Sequence, residues 1–191
     1  HNESLLAKAR SLTHEGITAY MLTGSYEIPL HNMTGDVRRD IILINECLGI
    51  GEVALSDHRS SQPTREELEK ALTQARLGGM LSGKAGVVQF HMGVGKRGMD
   101  VLLAIVRETE IPARHFIPTH VNRAFHLFEQ AKEFARLGGY VDITSGIREQ
   151  DGFPACVKPS DAIKILYEEG VPMDKVTMSS DANGCMSVTL P

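Results

Sequence analysis

Short apolar runs alternate with amphipathic stretches along this chain, and that alternation limits the fold more than any other feature. Leu5 to Glu15 reads as a helix ended by Gly16, and Thr18 to Leu22 as a strand followed by the loop Thr23-Gly24-Ser25-Tyr26. Asp36 to Cys47 reads as a helix, and a strand lies within Ile50 to Ser56. Thr64-x-x-Glu67 is a capping-box pattern. It opens a helix with Leu68, Ala71, Leu72 and Ala75 on one face, expected to stop at Gly78-Gly79. Val87 to His91 (strand), Met99 to Arg107 (helix) and Phe116 to His120 (strand) follow. The next helix has the stripe Phe125, Phe128, Ala131 and Ala135 and ends at Gly138-Gly139. Tyr140 to Thr144 reads as a strand, Ser160 as the cap of a helix running to Gly170, and Val176 to Ser180 as the last strand. About six strands, each followed or preceded by a helix, fit parallel βαβ units. Such units close into a barrel or spread into an open doubly wound sheet, and periodicity does not choose between them.

At 191 residues and 42% hydrophobic content the chain can bury one domain's core. A complete (β/α)₈ barrel takes about 250 residues. The chain opens on His1 and runs into Pro191 without a closing helix, so both ends read as interruptions. The expectation is an α/β fold: an incomplete (β/α)₈, TIM-like barrel with about six βα units present. Net charge is −4 with scattered basic residues, which argues against a nucleic-acid surface. No apolar stretch approaches 18 residues, and no basic-then-apolar leader opens the chain, so neither a membrane span nor membrane association is expected. Cys47, Cys156 and Cys185 are odd in number and irregularly spaced, which predicts reduced thiols and a cytoplasmic setting. The absence of CxxC removes a thiolate zinc knuckle.

The polar residues fall in a telling place. Val87-Val88-Gln89-Phe90 ends in His91, Phe116-Ile117-Pro118-Thr119 ends in His120, and Val176 to Ser180 ends in Asp181. In a barrel, the carboxyl ends of strands form the catalytic face. Imidazole and carboxylate ligands without thiolate suit Zn²⁺ or a similar divalent ion. A lone His closing a strand is more often a hydrogen-bonded structural residue, and Asp181 with Asn183-Gly184 could serve only as a turn former. Equivalent placement in three βα units favours a metal. His14, His31 and His126 fall on helix or loop surfaces, His115 starts a strand and reads as structural, and His58 stays open between a partner of the site and a surface turn residue. Arg59 and Arg123 each follow a strand on the same face. A guanidinium there grips a carboxylate bidentately, although a surface ion pair is the commoner fate of an arginine. Two of them facing a metal suit a small substrate with two carboxylates.

Several strings resemble the isoaspartyl (β-aspartyl) dipeptidase family of the amidohydrolase superfamily: Glu3-Ser4-Leu5-Leu6-Ala7-Lys8, Met21-Leu22-Thr23-Gly24, Ser56-Asp57-His58-Arg59-Ser60, Phe90-His91-Met92-Gly93, Pro118-Thr119-His120-Val121-Asn122-Arg123, Leu127-Phe128-Glu129-Gln130-Ala131 and Ser179-Ser180-Asp181. The similarity runs in order through essentially the whole chain. It implies the central and C-terminal part of a catalytic barrel, residues 1–191, with the first strand, its HxH pair and a flanking small β domain lying elsewhere. The implied activity is hydrolysis of β-aspartyl dipeptides by hydroxide activated at a binuclear zinc centre, with two Zn²⁺ per complete site, in a cytoplasmic homo-octamer. By position, His91 and His120 match ligands of one metal, and Asp181 matches a ligand that is also general base and acid. Arg59 and Arg123 match groups that bind substrate carboxylates, and Tyr26 matches a tyrosine that polarises the scissile carbonyl. Glu52 stands where the family has a metal-bridging carboxylated lysine, which implies a bridging Glu; the residues alone allow a surface Glu at a strand start. Cys185 stands where the family has a serine near the substrate carboxylate, and a thiol is the weaker donor. None of the eight histidines forms an HxH, so the chain alone is predicted to show little activity. The rival readings are a dihydroorotase-like cyclic amidase and a metal-free ligand-binding barrel.

Overall fold

A computed structural model describes residues 2–182. Its elements run α1 (Asn2–His14), β1 (Met21–Thr23), α2 (Val37–Leu43), β2 (Cys47–Leu55), α3 (Arg65–Ser82), β3 (Val87–Met92), α4 (Asp100–Glu108), β4 (Phe116–Thr119), α5 (Phe125–Arg136), β5 (Val141–Thr144), α6 (Pro159–Glu168) and β6 (Val176–Ser179). All pairings are parallel. The strands follow chain order, β1-β2-β3-β4 in one sheet and β5-β6 in a second. Sequential parallel strands with helices between them are the arc of a (β/α)₈ barrel, in agreement with the expected fold class.

The core lies between the strands and the helix layer. Ile50 and Val53 of β2, Val88 and Phe90 of β3 and Phe116 of β4 are fully buried, as are Leu68 and Leu72 of α3, Leu102 and Ile105 of α4, and Phe128 and Phe134 of α5. Phe116 stands between Phe90 and Phe134, at ring distances of 6.0 and 5.8 Å. Strand residues of the opposite parity point away from the helices. In β3 and β5 that places His91, Asp142 and Thr144 on the face that carries the site.

Several boundaries differ from the sequence reading. The first strand covers Met21–Thr23 rather than Thr18 to Leu22. The helix expected over Asp36 to Cys47 spans only Val37–Leu43, because Ile44 is extended and Cys47 already pairs with Met21. Thr64 and Glu67 do form the capping box, but α3 continues through Gly78 and Gly79 to Ser82, where Gly83 caps it at φ 69°. The paired glycines serve contact rather than termination: a Cβ on Gly79 would lie 2.6 Å from the Cα of Gly86. Gly79→Ala is therefore expected to lower stability by about 1–3 kcal/mol through overpacking, read as a fall in melting temperature. Phe125 is exposed, and the buried face of α5 uses Leu127 and Phe134 instead. Ser160 is not the cap of α6; Lys158 holds that position, with Pro159 opening the helix.

Candidate metal centre

Glu52, His91 and His120 arrive from three successive strands. Glu52 lies on β2 where the register to β3 shifts between Ile50 and Val53. Such an irregularity re-aims a side chain that strict alternation would send elsewhere. His91 is the penultimate residue of β3, paired opposite Thr119 of β4. His120 follows β4 in the left-handed region at φ 62°, which turns its ring inward as the chain leaves the strand. Both imidazoles are buried.

One ligand atom from each of Glu52, His91 and His120 lies within 4.8 Å of the other two. His91 Nδ1 stands 3.0 Å from Glu52 Oε2 and 3.1 Å from His120 Nε2. His120 Nε2 is 3.8 Å from Glu52 Oε1. Two nitrogens bound to one tetrahedral zinc at about 2.0–2.1 Å each sit about 3.3 Å apart, so these side chains need little movement to share an ion. Burial, reinforced by the Arg123 charge and by His91, depresses the His120 pKa to about 3. The ring is neutral at physiological pH, the form that binds metal. Burial works against ionisation of Glu52, but the His91 hydrogen bond and the neighbouring imidazoles outweigh it and hold that carboxyl below its usual range. A neutral imidazole beside an ionised carboxylate is the donor chemistry a divalent cation takes.

The remaining groups surround His91. The Tyr26 hydroxyl is 3.0 Å from Nδ1. Burial and the Glu52 charge push the Tyr26 phenol up to about 12, so it stays protonated and able to donate. Arg59 Nη2 and Arg123 Nη1 stand 2.7 and 2.8 Å from His91 Nε2. Asp57, to which the sequence reading gave no role, anchors Arg59. It accepts from Arg59 Nε at 2.9 Å and Nη2 at 3.1 Å, and those contacts outweigh its burial and hold its carboxyl well below the usual range. Asp57 Oδ2 stands 3.5 Å from His91 Nε2, the nitrogen that accepts from both guanidiniums.

Asp181 stands after β6, exposed, in the left-handed region at φ 52°, and outside the Glu52-His91-His120 group. Its charge reaches Arg123, where it opposes the effect of burial. Cys185 lies outside the described residues. His58 is a surface residue beside Asp57, with its side chain 87% exposed. His115 is buried just before β4 with Nδ1 2.9 Å from Gly86 O, a structural role. Thr144, another residue with no sequence signal, places its hydroxyl 2.7 Å from His120 Nδ1.

The depressed His120 pKa sets a pH response. An unfolded imidazole takes up its proton near pH 6.5, and the folded ring does so only near 3. Acidification below about pH 6.5 therefore favours the unfolded chain, and the upper part of this window lies above the range in which ordinary carboxylates titrate. The melting temperature of metal-free protein is expected to fall from pH 7 to pH 5. A level profile would show that His120 takes up a proton within the fold.

Fold and grouped ligands define a class: β/α-barrel proteins with a candidate metal centre at the strand ends. No protein-family model matches the chain. Among solved structures, the β-aspartyl dipeptidase of the thermophilic, keratin-degrading Fervidobacterium islandicum AW-1, crystallised with β-Asp-Leu dipeptide, is 50% identical over 94% of this chain and 45% of its own, with a TM-score of 0.86. A second structure of β-aspartyl dipeptidase from that organism gives 49% identity over 94% of this chain and 47% of its own, with a TM-score of 0.87. An organophosphorus hydrolase from Deinococcus radiodurans shares the fold at 16% identity, covering 89% of this chain and 55% of its own with a TM-score of 0.60. The chain belongs to the β-aspartyl dipeptidase family and spans about half the length of those two relatives.

Proposed function

We propose that this chain forms the metal-binding rim of a dipeptidase that hydrolyses β-aspartyl dipeptides. One observation carries the reading: Glu52, His91 and His120 converge at the strand ends of a chain half identical to a β-aspartyl dipeptidase crystallised with β-Asp-Leu. These three side chains would hold the ion, and Zn²⁺ suits their nitrogen and oxygen donors. Such an ion supplies Lewis acidity toward a carbonyl oxygen and brings the acidity of water near neutrality, to a pKa of about 7.

The protein's own groups perform the rest. Tyr26 keeps its phenolic proton and donates to the oxyanion that develops on the scissile carbonyl. Arg59, steadied by Asp57, and Arg123 grip the two carboxylates of the dipeptide, so their loss costs rate as well as affinity. Asp181, at the end of β6, takes the proton of the attacking water and returns it to the leaving amine. The resemblance also assigns Cys185 to substrate binding. In this reading Glu52 would also help to hold a second ion, with further ligands from outside this chain, and the centre would then be binuclear. Amidohydrolase membership, assembly as a homo-octamer and a cytoplasmic setting follow from the same resemblance. Among the described residues Cys47 and Cys156 are free thiols, and no helix is long and apolar enough to cross a membrane.

The test compares β-Asp-Leu, α-Asp-Leu and cyclic amides as substrates of the intact protein. Cleavage of β-Asp-Leu alone, lost to a chelator and restored by Zn²⁺, is expected. Preference for a cyclic amide, or indifference to chelation, would overturn the proposal.

A further inference from the structure

β5 brings no candidate ligand, yet the side chains on its inner face grip the ligand-bearing segments at both flanks. Asp142, buried at 5% exposure, accepts hydrogen bonds from Thr119 of β4 at 2.8 Å and from Thr177 and Ser179 of β6 at 2.8 and 2.5 Å. Thr144, two residues on, meets His120 Nδ1 at 2.7 Å. Thr144 is itself fixed. Its backbone N–H donates to Asn122 Oδ1 at 2.9 Å, and its carbonyl accepts from Asn122 Nδ2 at 3.2 Å. Asn122 is fully buried, and its Nδ2 also reaches the Val157 carbonyl at 3.2 Å.

We propose that Thr144 is a positioning residue of the metal centre: its hydroxyl accepts the Nδ1 proton of His120 and so fixes the tautomer whose Nε2 lone pair faces Glu52 and His91. This rests on the metal-centre reading above. A neutral imidazole has one donor and one acceptor nitrogen, and the partner of one decides the role of the other. Thr144 and His120 are 2% and 1% exposed, so bulk water does not compete for that nitrogen. The β-branched side chain has few rotamers, and both backbone polar groups of Thr144 are pinned, so the hydroxyl cannot swing away cheaply. Ligating histidines commonly donate their other ring N–H to such an outer partner, which sets ring orientation and ligand basicity.

The experiment measures Zn²⁺ affinity of the intact protein by competition with a chromophoric chelator, and the d–d absorption of the Co²⁺-saturated protein. Thr144→Val keeps the shape and removes the acceptor; Thr144→Ser keeps the acceptor. Thr144→Val is expected to weaken Zn²⁺ binding about 10- to 100-fold, with Thr144→Ser within about threefold of wild type. At full Co²⁺ occupancy the Val variant is expected to shift the d–d bands, and Ser to reproduce those of wild type. Circular dichroism verifies folding; if the Val variant does not fold, Thr144→Ala, which also lacks the hydroxyl, carries the same expectation. A hydroxyl-free variant with wild-type affinity and spectrum would overturn the proposal. So would a Ser variant as weak as Val with unshifted bands, which would mark a packing role. A wild-type protein that takes up no Zn²⁺ would instead sink the metal centre, and this inference with it.

Discussion

In the intact protein, if it has the activity proposed above, His91→Ala is expected to empty the metal centre and lower kcat/KM for β-Asp-Leu at least about a thousandfold, the factor that follows from losing about 4 kcal/mol of transition-state stabilisation. His91 is the hub of the cluster. Its Nδ1 lies within 3.1 Å of Glu52, Tyr26 and His120, and its Nε2 within 2.8 Å of both guanidiniums. Alanine removes a ligand and also the group around which Arg59 and Arg123 are arranged, so ion and substrate carboxylates are both left without their frame. The check is zinc content per protomer by elemental analysis, alongside kinetics. A variant that kept its metal and its turnover would remove His91 from the centre. Asp57→Asn should act more mildly, because it loosens Arg59 without removing a ligand.

Asp40→Ala, outside the site, is expected to cost about 3–5 kcal/mol of folding free energy, or about 10 °C in melting temperature. Asp40 is fully buried on α2. It accepts from the Thr23 hydroxyl at 2.6 Å, the Met33 amide at 2.9 Å, and the Thr34 amide and hydroxyl at 2.8 and 2.7 Å. Alanine strands those donors in a pocket sealed from water, at about 1–3 kcal/mol for each left unsatisfied. The carboxylate joins the end of β1 to the segment before α2, and the loop carrying Tyr26 runs between the two. Loss of Asp40 is therefore expected to raise KM for β-Asp-Leu as well as to lower stability. Thermal unfolding with kinetics at a permissive temperature separates the two effects. An unchanged melting temperature would show that water replaces the carboxylate.

The alternation of strands and helices, the parallel pairing and the two histidines were legible because they rest on local signals: apolar runs of strand length, two of them closed by an imidazole. The capping box and the stripe of α3 were legible for the same reason. Glu52 was less so, since the register shift at residues 50–53 breaks the alternation by which a strand residue's face is read. Gly78-Gly79 reads as a stop to propensity alone, but contact with Gly86 outweighs the helix cost. Phe125 fits the apolar stripe by spacing and misses it by a fraction of a turn. Asp57 and Thr144 were given no role; their partners are 34 and 24 residues away, at His91 and His120, and only the closed arc brings them together. Asp181 was visible as a strand-end carboxylate, and sequence could not tell how far it stands from the imidazoles.

Between β4 and β5 the two sheets are joined by no backbone ladder; the described links include Thr119 to Asp142 and His120 to Thr144. A wall stitched there by side chains has a seam running beside the histidine that would hold the ion. Amide protons flanking it are expected to exchange with solvent through small local openings instead of waiting for the whole arc to come apart. An ion held by His120 would brace that line, so occupancy is expected to be readable as slower hydrogen exchange at the seam.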